Sequence, residues 1–200
     1  MIKRLFDLVC SAIGLLVLSP LLVVLSLLIK LEDGGPVFYR GVRVGRLGRP
    51  FRIFKFRTMV VNAEKIGGPS TADDDARITP MGKFIRRFKL DELPQLINVL
   101  TGDMSLVGPR PEVPGEVDLY TEEERALLNV RPGITDYASI AFHNEGEILR
   151  GSPDPHQAYR EKIRPEKIRL GLDYVKHNSL RLDLKIIFKT FSTLIVTRSQ

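Results

Sequence analysis

Two neighbouring carboxylates, Asp91 and Glu92, follow directly on a run that carries Lys83, Arg86, Arg87 and Lys89. At a helix start such carboxylates can stay ionised, bind a divalent cation and present an oxygen nucleophile. That combination suits phosphoryl chemistry, where positioning and charge neutralisation do most of the catalysis. A plainer use also exists, with Asp91 as a helix N-cap and Glu92 complementing the helix dipole. A second unusual stretch holds Arg110 between Pro109 and Pro111. Two prolines fix the backbone on either side, so the guanidinium is presented in a set place, and arginine is the natural bidentate partner of phosphate. Arg131, followed by Pro132 and Gly133, repeats the arrangement of a cation beside a rigid turn.

Other residue types narrow the chemistry. Asp73, Asp74 and Asp75 are adjacent, and adjacent residues do not face one another on a helix, so they read as a solvated loop after Gly67-Gly68-Pro69-Ser70. His143, His156 and His177 lack metal-ligand spacing, and Cys10 is the only cysteine, which excludes an internal disulfide and a thiolate zinc site. The formal net charge of +6 suits acidic partners, whether nucleic acid, anionic lipid or phosphorylated small molecules, without choosing among them.

The elements that must position these groups begin with an apolar run over residues 5–29, broken only by Asp7. As a straight helix it measures roughly 38 Å against a hydrocarbon core of about 30 Å. A secretory signal would need a shorter apolar region and a small-residue cleavage site, which residues 30–33 do not offer. Ser19-Pro20 interrupts the middle of the run, and positive residues flank both ends, Lys3 and Arg4 before it and Lys30, Arg40 and Arg43 after it. A helix that enters one leaflet, bends at Ser19-Pro20 and returns satisfies both features. A kinked spanning anchor satisfies the first alone. The chain divides into residues 1–33 in the membrane and 34–200 as the polar domain.

Residues 37–44 and 51–56 read as the strands of a β-hairpin around a turn at 45–50. No acidic residue occurs between Gly34 and Ala63, whereas Arg40, Arg43, Arg46, Arg49, Arg52, Lys55 and Arg57 all do. Such a hairpin sits on anionic headgroups or on a phosphorylated ligand, or it is a charge-guarded edge. Helices are expected over 81–90, from Asp91 to about Leu100 with Gly102 as the stop, and after Tyr159, ending in an amphipathic helix near residues 180–189. The fold class is α+β, a small hairpin and several short amphipathic helices beside a membrane helix.

In this order the motifs resemble the bacterial sugar transferase family, the small monotopic phosphoglycosyl transferases: Ser19-Pro20, Gly35-Pro36-Val37-Phe38-Tyr39-Arg40, Phe54-Lys55-Phe56-Arg57-Thr58-Met59, Leu90-Asp91-Glu92-Leu93-Pro94-Gln95, Val107-Gly108-Pro109-Arg110-Pro111 and Arg131-Pro132-Gly133-Ile134-Thr135. The resemblance implies that Asp91 attacks the sugar-linked phosphorus of a UDP-sugar and releases UMP, and that a polyprenyl phosphate, undecaprenyl phosphate in bacteria, then takes the phosphosugar. It implies Glu92 as general base or orienting group, Mg2+ held by Asp91 and the diphosphate, and phosphate contacts from Lys55, Arg86 and Arg110. It favours the re-entrant form of the membrane helix and the cytoplasmic face of the bacterial inner membrane. Expected partners are the UDP-sugar, the polyprenyl phosphate and membrane lipids, with no nucleic acid; homo-oligomerisation stays open. One departure is Asp136-Tyr137-Ala138-Ser139, where family members commonly carry Gly, an aromatic and Gln, and this bears on the sugar and on nucleotide contacts. Two rival classes remain, a membrane-anchored basic binding or scaffold protein and a conventional glycosyltransferase that releases UDP.

Overall fold

The apolar N-terminal run forms one uninterrupted helix, α1 (Ile2–Asp33), with Pro20 inside it. This computed structural model describes residues 2–68 and 70–196, so Pro69 of the expected loop lies outside the described residues. The helical backbone continues through Ser19-Pro20, where the sequence predicts a break. Pro20 lacks the N–H that would bond the Leu16 carbonyl four residues back. The Ser19 hydroxyl takes its place, 2.8 Å from that oxygen.

The hairpin is present in two antiparallel ladders. β1 (Phe38–Tyr39) and β2 (Val42–Val44) lead into a tight turn, and β3 (Pro50–Arg52) and β4 (Lys55–Phe56) return. Val42 faces Arg52 across β2–β3, and Phe38 faces Phe56 across β1–β4. Helix α2 (Pro80–Arg87) follows the long loop, then α3 (Gln95–Thr101), and β5 (Ser105–Val107), which pairs in parallel with β6 (Gly133–Thr135) beyond α4 (Pro114–Val117). The remainder is helical: α5 (Tyr137–Ala141), α6 (Glu145–Ile148), α7 (Pro155–Lys162), α8 (Arg164–His177) and α9 (Leu180–Val196). The expected α+β class therefore holds.

Polar bonds tie both ends of α1 to the rest of the chain. Near its start, Asp7 is buried and accepts from the Ser105 hydroxyl at 2.8 Å and the Leu106 N–H at 3.1 Å. Lys3 pairs with Asp183 on α9 at 2.6 Å, and Arg4 donates to the Val99 and Leu100 carbonyls at the end of α3. At the other end the Arg57 guanidinium grips Asp33 with two bonds of 2.7 and 2.5 Å, and Glu32 accepts from the Met81 N–H at 2.9 Å. Between these ties Leu25 and Ile29 pack with Phe56 of β4 and Ile85 of α2. The opposite side of α1, including Ile13, Leu16, Val17, Val23 and Leu27, is exposed. On α9, Leu184, Phe188 and Phe191 are exposed while Ile186 is buried against Val107 and Tyr174, so the helix packs on the domain along one face only.

Asp7→Ala leaves the Leu106 N–H and the Ser105 hydroxyl without their acceptor, at about 1–3 kcal/mol for each orphaned group. Thermal unfolding in detergent should show a Tm lower by roughly 4–24 °C, whereas Ile13→Ala on the exposed face leaves Tm near that of the parent. A Tm unmoved by Asp7→Ala would contradict the tether.

Candidate active site

Helix α2 starts cleanly, with Thr79 Oγ1 accepting from the Gly82 N–H at 3.0 Å and Pro80 in the first turn. It ends at a reversal where Lys89 takes φ 54, and a single 3-10 turn over Leu90–Glu92 follows. The sequence expectation of a helix starting at Asp91 is corrected here: α3 begins at Gln95, with Pro94 in the position before it. Asp91 accordingly caps nothing. Its Oδ2 lies 2.7 Å from Lys55 Nζ, while its Oδ1 is buried with no hydrogen-bond partner among the described residues.

Lys55 reaches Asp91 because α3 holds the hairpin by its backbone. Asn98 Oδ1 accepts from the Phe54 N–H at 2.7 Å and Asn98 Nδ2 donates to the Arg52 carbonyl at 3.0 Å. This carboxamide fills the gap between β3 and β4 and sets the strand so that the next side chain, Lys55, meets the carboxylates. The ammonium also lies 3.5 Å from Glu92 Oε1. Thus one cation stands between two neighbouring carboxylates.

Arg110 completes the pair around Glu92, with Nη1 3.2 Å from Oε2 and Nη2 on Oε1. The segment that carries it is fixed by the close approach of β5 and β6. Gly108 donates to the Thr135 carbonyl at 3.1 Å and Gly133 to the Pro109 carbonyl at 3.0 Å. A Cβ on Gly108 would lie 2.3 Å from the Arg131 carbonyl oxygen, so only glycine allows the approach. Burial alone would raise the Glu92 carboxyl; Arg110 and then Lys55 outweigh it and hold the group well below the ordinary carboxylate range. Glu92 in turn pushes Arg110 upward.

Arg86 bears on Asp91. Desolvation lowers its pKa, and Asp91 is the foremost charge opposing that shift. Its Nε donates to Thr58 Oγ1 at 2.9 Å, and it forms no ion pair among the described residues. Lys55 therefore meets Asp91 and Glu92, Arg110 meets Glu92, and Arg86 bears electrostatically on Asp91. Arg131 meets neither: its Nε donates to the Gly102 carbonyl at 2.9 Å, so it serves the C-terminal end of α3, away from Asp91. Asp73, Asp74 and Asp75 scatter to Arg150, the Gly151 N–H and Arg77, as a loop reading expects. Asp136, in the departing segment, is buried and caps α5 by accepting from the Ser139 N–H at 2.6 Å; burial pushes its carboxyl up.

The bacterial sugar transferase family model matches residues 1–197, nearly the full length of the chain. The chain belongs to that family. It is 40% identical over 199 residues to the UDP-N-acetylgalactosamine-undecaprenyl-phosphate N-acetylgalactosaminephosphotransferase of Aeromonas hydrophila, covering 97% of this chain and 44% of that protein. It is 39% identical to the UDP-glucose:undecaprenyl-phosphate glucose-1-phosphate transferase of Caulobacter vibrioides, covering 98% of this chain and 70% of that one. Against the exopolysaccharide production protein ExoY of Sinorhizobium fredii the identity is 35%, over 98% and 86% of the two chains. The chain thus spans under half the length of the Aeromonas protein and most of the other two.

The site also fits a magnesium ion. Among the described residues no group of three or more His, Cys, Asp or Glu side chains gathers as a protein-only metal cage. Magnesium characteristically binds through one or two carboxylates plus substrate phosphates, and the buried Asp91 carboxylate is such a group. Two contributors lie outside the sequence expectations, Thr58 and Asn98. Asn98 had a signal, since it follows Asp91 by seven residues and so shares its helical face.

Glu92 titrates below its unfolded value of about 4.3. Its pairing therefore stabilises the fold fully above that pH, and the contribution is lost as pH falls through the folded value. Arg110→Leu removes the main cause of the depression and leaves the burial, so the Glu92 carboxyl should titrate at higher pH by carbon-13 NMR. An unchanged titration would mean that Arg110 is not its partner in solution.

Proposed function

We propose that this chain transfers a sugar 1-phosphate from a UDP-sugar to a polyprenyl phosphate, undecaprenyl phosphate in bacteria, and releases UMP. The observation that carries the reading is Asp91, a buried carboxylate held at one oxygen by Lys55 with its other oxygen unengaged. The names of the Aeromonas and Caulobacter relatives support the same transfer.

In this reading Asp91 Oδ1 attacks the sugar-linked phosphorus. The bond from that phosphorus to the bridging oxygen breaks, UMP leaves with the electron pair, and an aspartyl phosphosugar remains. An oxygen of the polyprenyl phosphate then attacks the same phosphorus and frees Asp91. Carboxylate and diphosphate repel each other, so the approach needs opposing charge. Lys55, Arg86 and Arg110 supply it from fixed positions, which requires little reorganisation as charge moves. Bound Mg2+, held by Asp91 and the diphosphate, would offset the remaining negative charge. Glu92 works by orienting Arg110 and Lys55: a carboxyl held this low is a poor proton acceptor, and a phosphate acceptor, with a second pKa near 6, has no proton it must lose first.

Location follows from α1. It is long and apolar enough to cross a bilayer, yet polar bonds hold both ends to the same domain. We read it as bending within its continuous helical run at Ser19-Pro20, so that it enters and leaves one leaflet, with the catalytic domain on the cytoplasmic face of the bacterial inner membrane. Four hairpin arginines, Arg43, Arg46, Arg49 and Arg52, have no acidic partner among the described residues and face anionic headgroups in this reading.

Purified protein in detergent with Mg2+ should release UMP from at least one UDP-sugar. Chelation of the metal should stop it, and Asp91→Asn should lower kcat by at least about 10³-fold, the scale of losing a covalent nucleophile. UDP as the product would indicate a conventional glycosyltransferase, and no turnover with salt-sensitive vesicle binding would indicate a scaffold. For topology, single cysteines replacing Ile2 and Leu31 in a Cys10→Ala background should label from the same side of sealed vesicles; labelling from opposite sides would make α1 a span.

A further inference from the structure

The carboxamide of Gln95 has no task in the arrangement above. The residue is 1% exposed, and its Nε2 is buried without a hydrogen-bond partner among the described residues. Native structures pair almost every such donor, because leaving one unmade carries its full desolvation cost. The other buried side-chain atoms in this condition are Arg40 Nε, Glu116 Oε2 and Asp91 Oδ1. Two of the four thus belong to residues four apart in sequence.

The backbone makes that spacing meaningful. Leu93 and Pro94 both keep right-handed helical dihedrals between the 3-10 turn and α3, so positions 91, 95 and 98 share a face. Contacts fix this face at both ends, Asp91 to Lys55 and Asn98 to Phe54 and Arg52. Gln95 lies between them, on the side of the helix that meets the Lys55 strand. The unengaged atom is an amide nitrogen, which donates and cannot ligate a cation. A metal therefore does not explain it. A hydrogen bond to Asp91 Oδ1 would satisfy both groups, and it is not made.

We propose that Gln95 is a catalytic residue whose Nε2 donates to a non-bridging oxygen of the phosphoryl group as that group is transferred to and from Asp91. The inference rests on the phosphotransfer reading above. As the Asp91 Oδ1–P bond forms and the P–O bond to the departing UMP breaks, the non-bridging oxygens come next to Oδ1, within the sector that an i+4 side chain covers. Gln95 moves no proton; it holds charge on the phosphoryl oxygen through the transition state. A donor without a partner beforehand breaks no bond to do this, which is the condition for electrostatic preorganisation.

The test compares Gln95→Met, which keeps the side-chain length and removes the donor, and Gln95→Glu, which replaces the donor by an acceptor. The full chain is assayed in detergent with Mg2+ and a UDP-sugar that the parent turns over, reading UMP release and Tm. Gln95→Met should lower kcat about 10²–10³-fold, with KM within about threefold and Tm unchanged or raised. Gln95→Glu should be slower still, because it adds a like charge beside Asp91. Retained kcat in Gln95→Met overturns the proposal. So does a fall in kcat accompanied by a lower Tm, which assigns Gln95 a structural role. If the parent itself releases no UMP from any UDP-sugar, the phosphotransfer reading fails and this inference falls with it.

Discussion

The site depends on setting two adjacent carboxylates around one cation at a place largely closed to water. Lys55 is that cation, 2.7 Å from Asp91 and 3.5 Å from Glu92. Burial alone would raise the Glu92 carboxyl, and Arg110 and then Lys55 outweigh it. Arg110, Arg86 and Lys89 add three further cations, so four positive groups bear on two negative ones before any substrate arrives. The excess is suited to a diphosphate. It also divides the work between the carboxylates: Glu92 is committed to Arg110 at both oxygens, whereas Asp91 keeps one oxygen unengaged.

The rest of the fold serves that charge balance by fixing separate pieces of chain against α3. Asn98 holds the hairpin so that Lys55 arrives in place, the β5–β6 ladder fixes the segment of Arg110, and Thr58 steadies Arg86. Helix α1 joins the same frame. Its polar ties at Asp7 and Asp33 fix it to the domain while one apolar side stays exposed. In the proposed function this arrangement lets a lipid-borne phosphate and a water-soluble nucleotide sugar meet at one aspartate.

Much of this was legible in the residues. The adjacent carboxylates, the proline-flanked Arg110, the basic hairpin and the α+β class all follow from local pattern. What failed to show was non-local. Asp7 looks like a lone charge interrupting an apolar run, because its partners, Ser105 and Leu106, are about a hundred positions away. Arg131 and Arg110 look alike in sequence, each a cation beside a rigid turn, and only the fold sends one to Glu92 and the other to the Gly102 carbonyl. Asp91 reads as an N-cap until Pro94 and Lys89 set the turn that releases it. Helix α1 continues past Pro20 because a neighbouring hydroxyl replaces the missing donor, a compensation that composition alone does not reveal.

The central claim is that the oxygen of Asp91 becomes bonded to phosphorus during turnover. Rapid acid quench with a UDP-sugar and no lipid acceptor, followed by peptide mass spectrometry, tests it directly. The account predicts a phosphosugar adduct on the peptide containing Asp91, formed together with UMP and lost when polyprenyl phosphate is added before the quench. UMP release at full rate with no adduct on that peptide would contradict it.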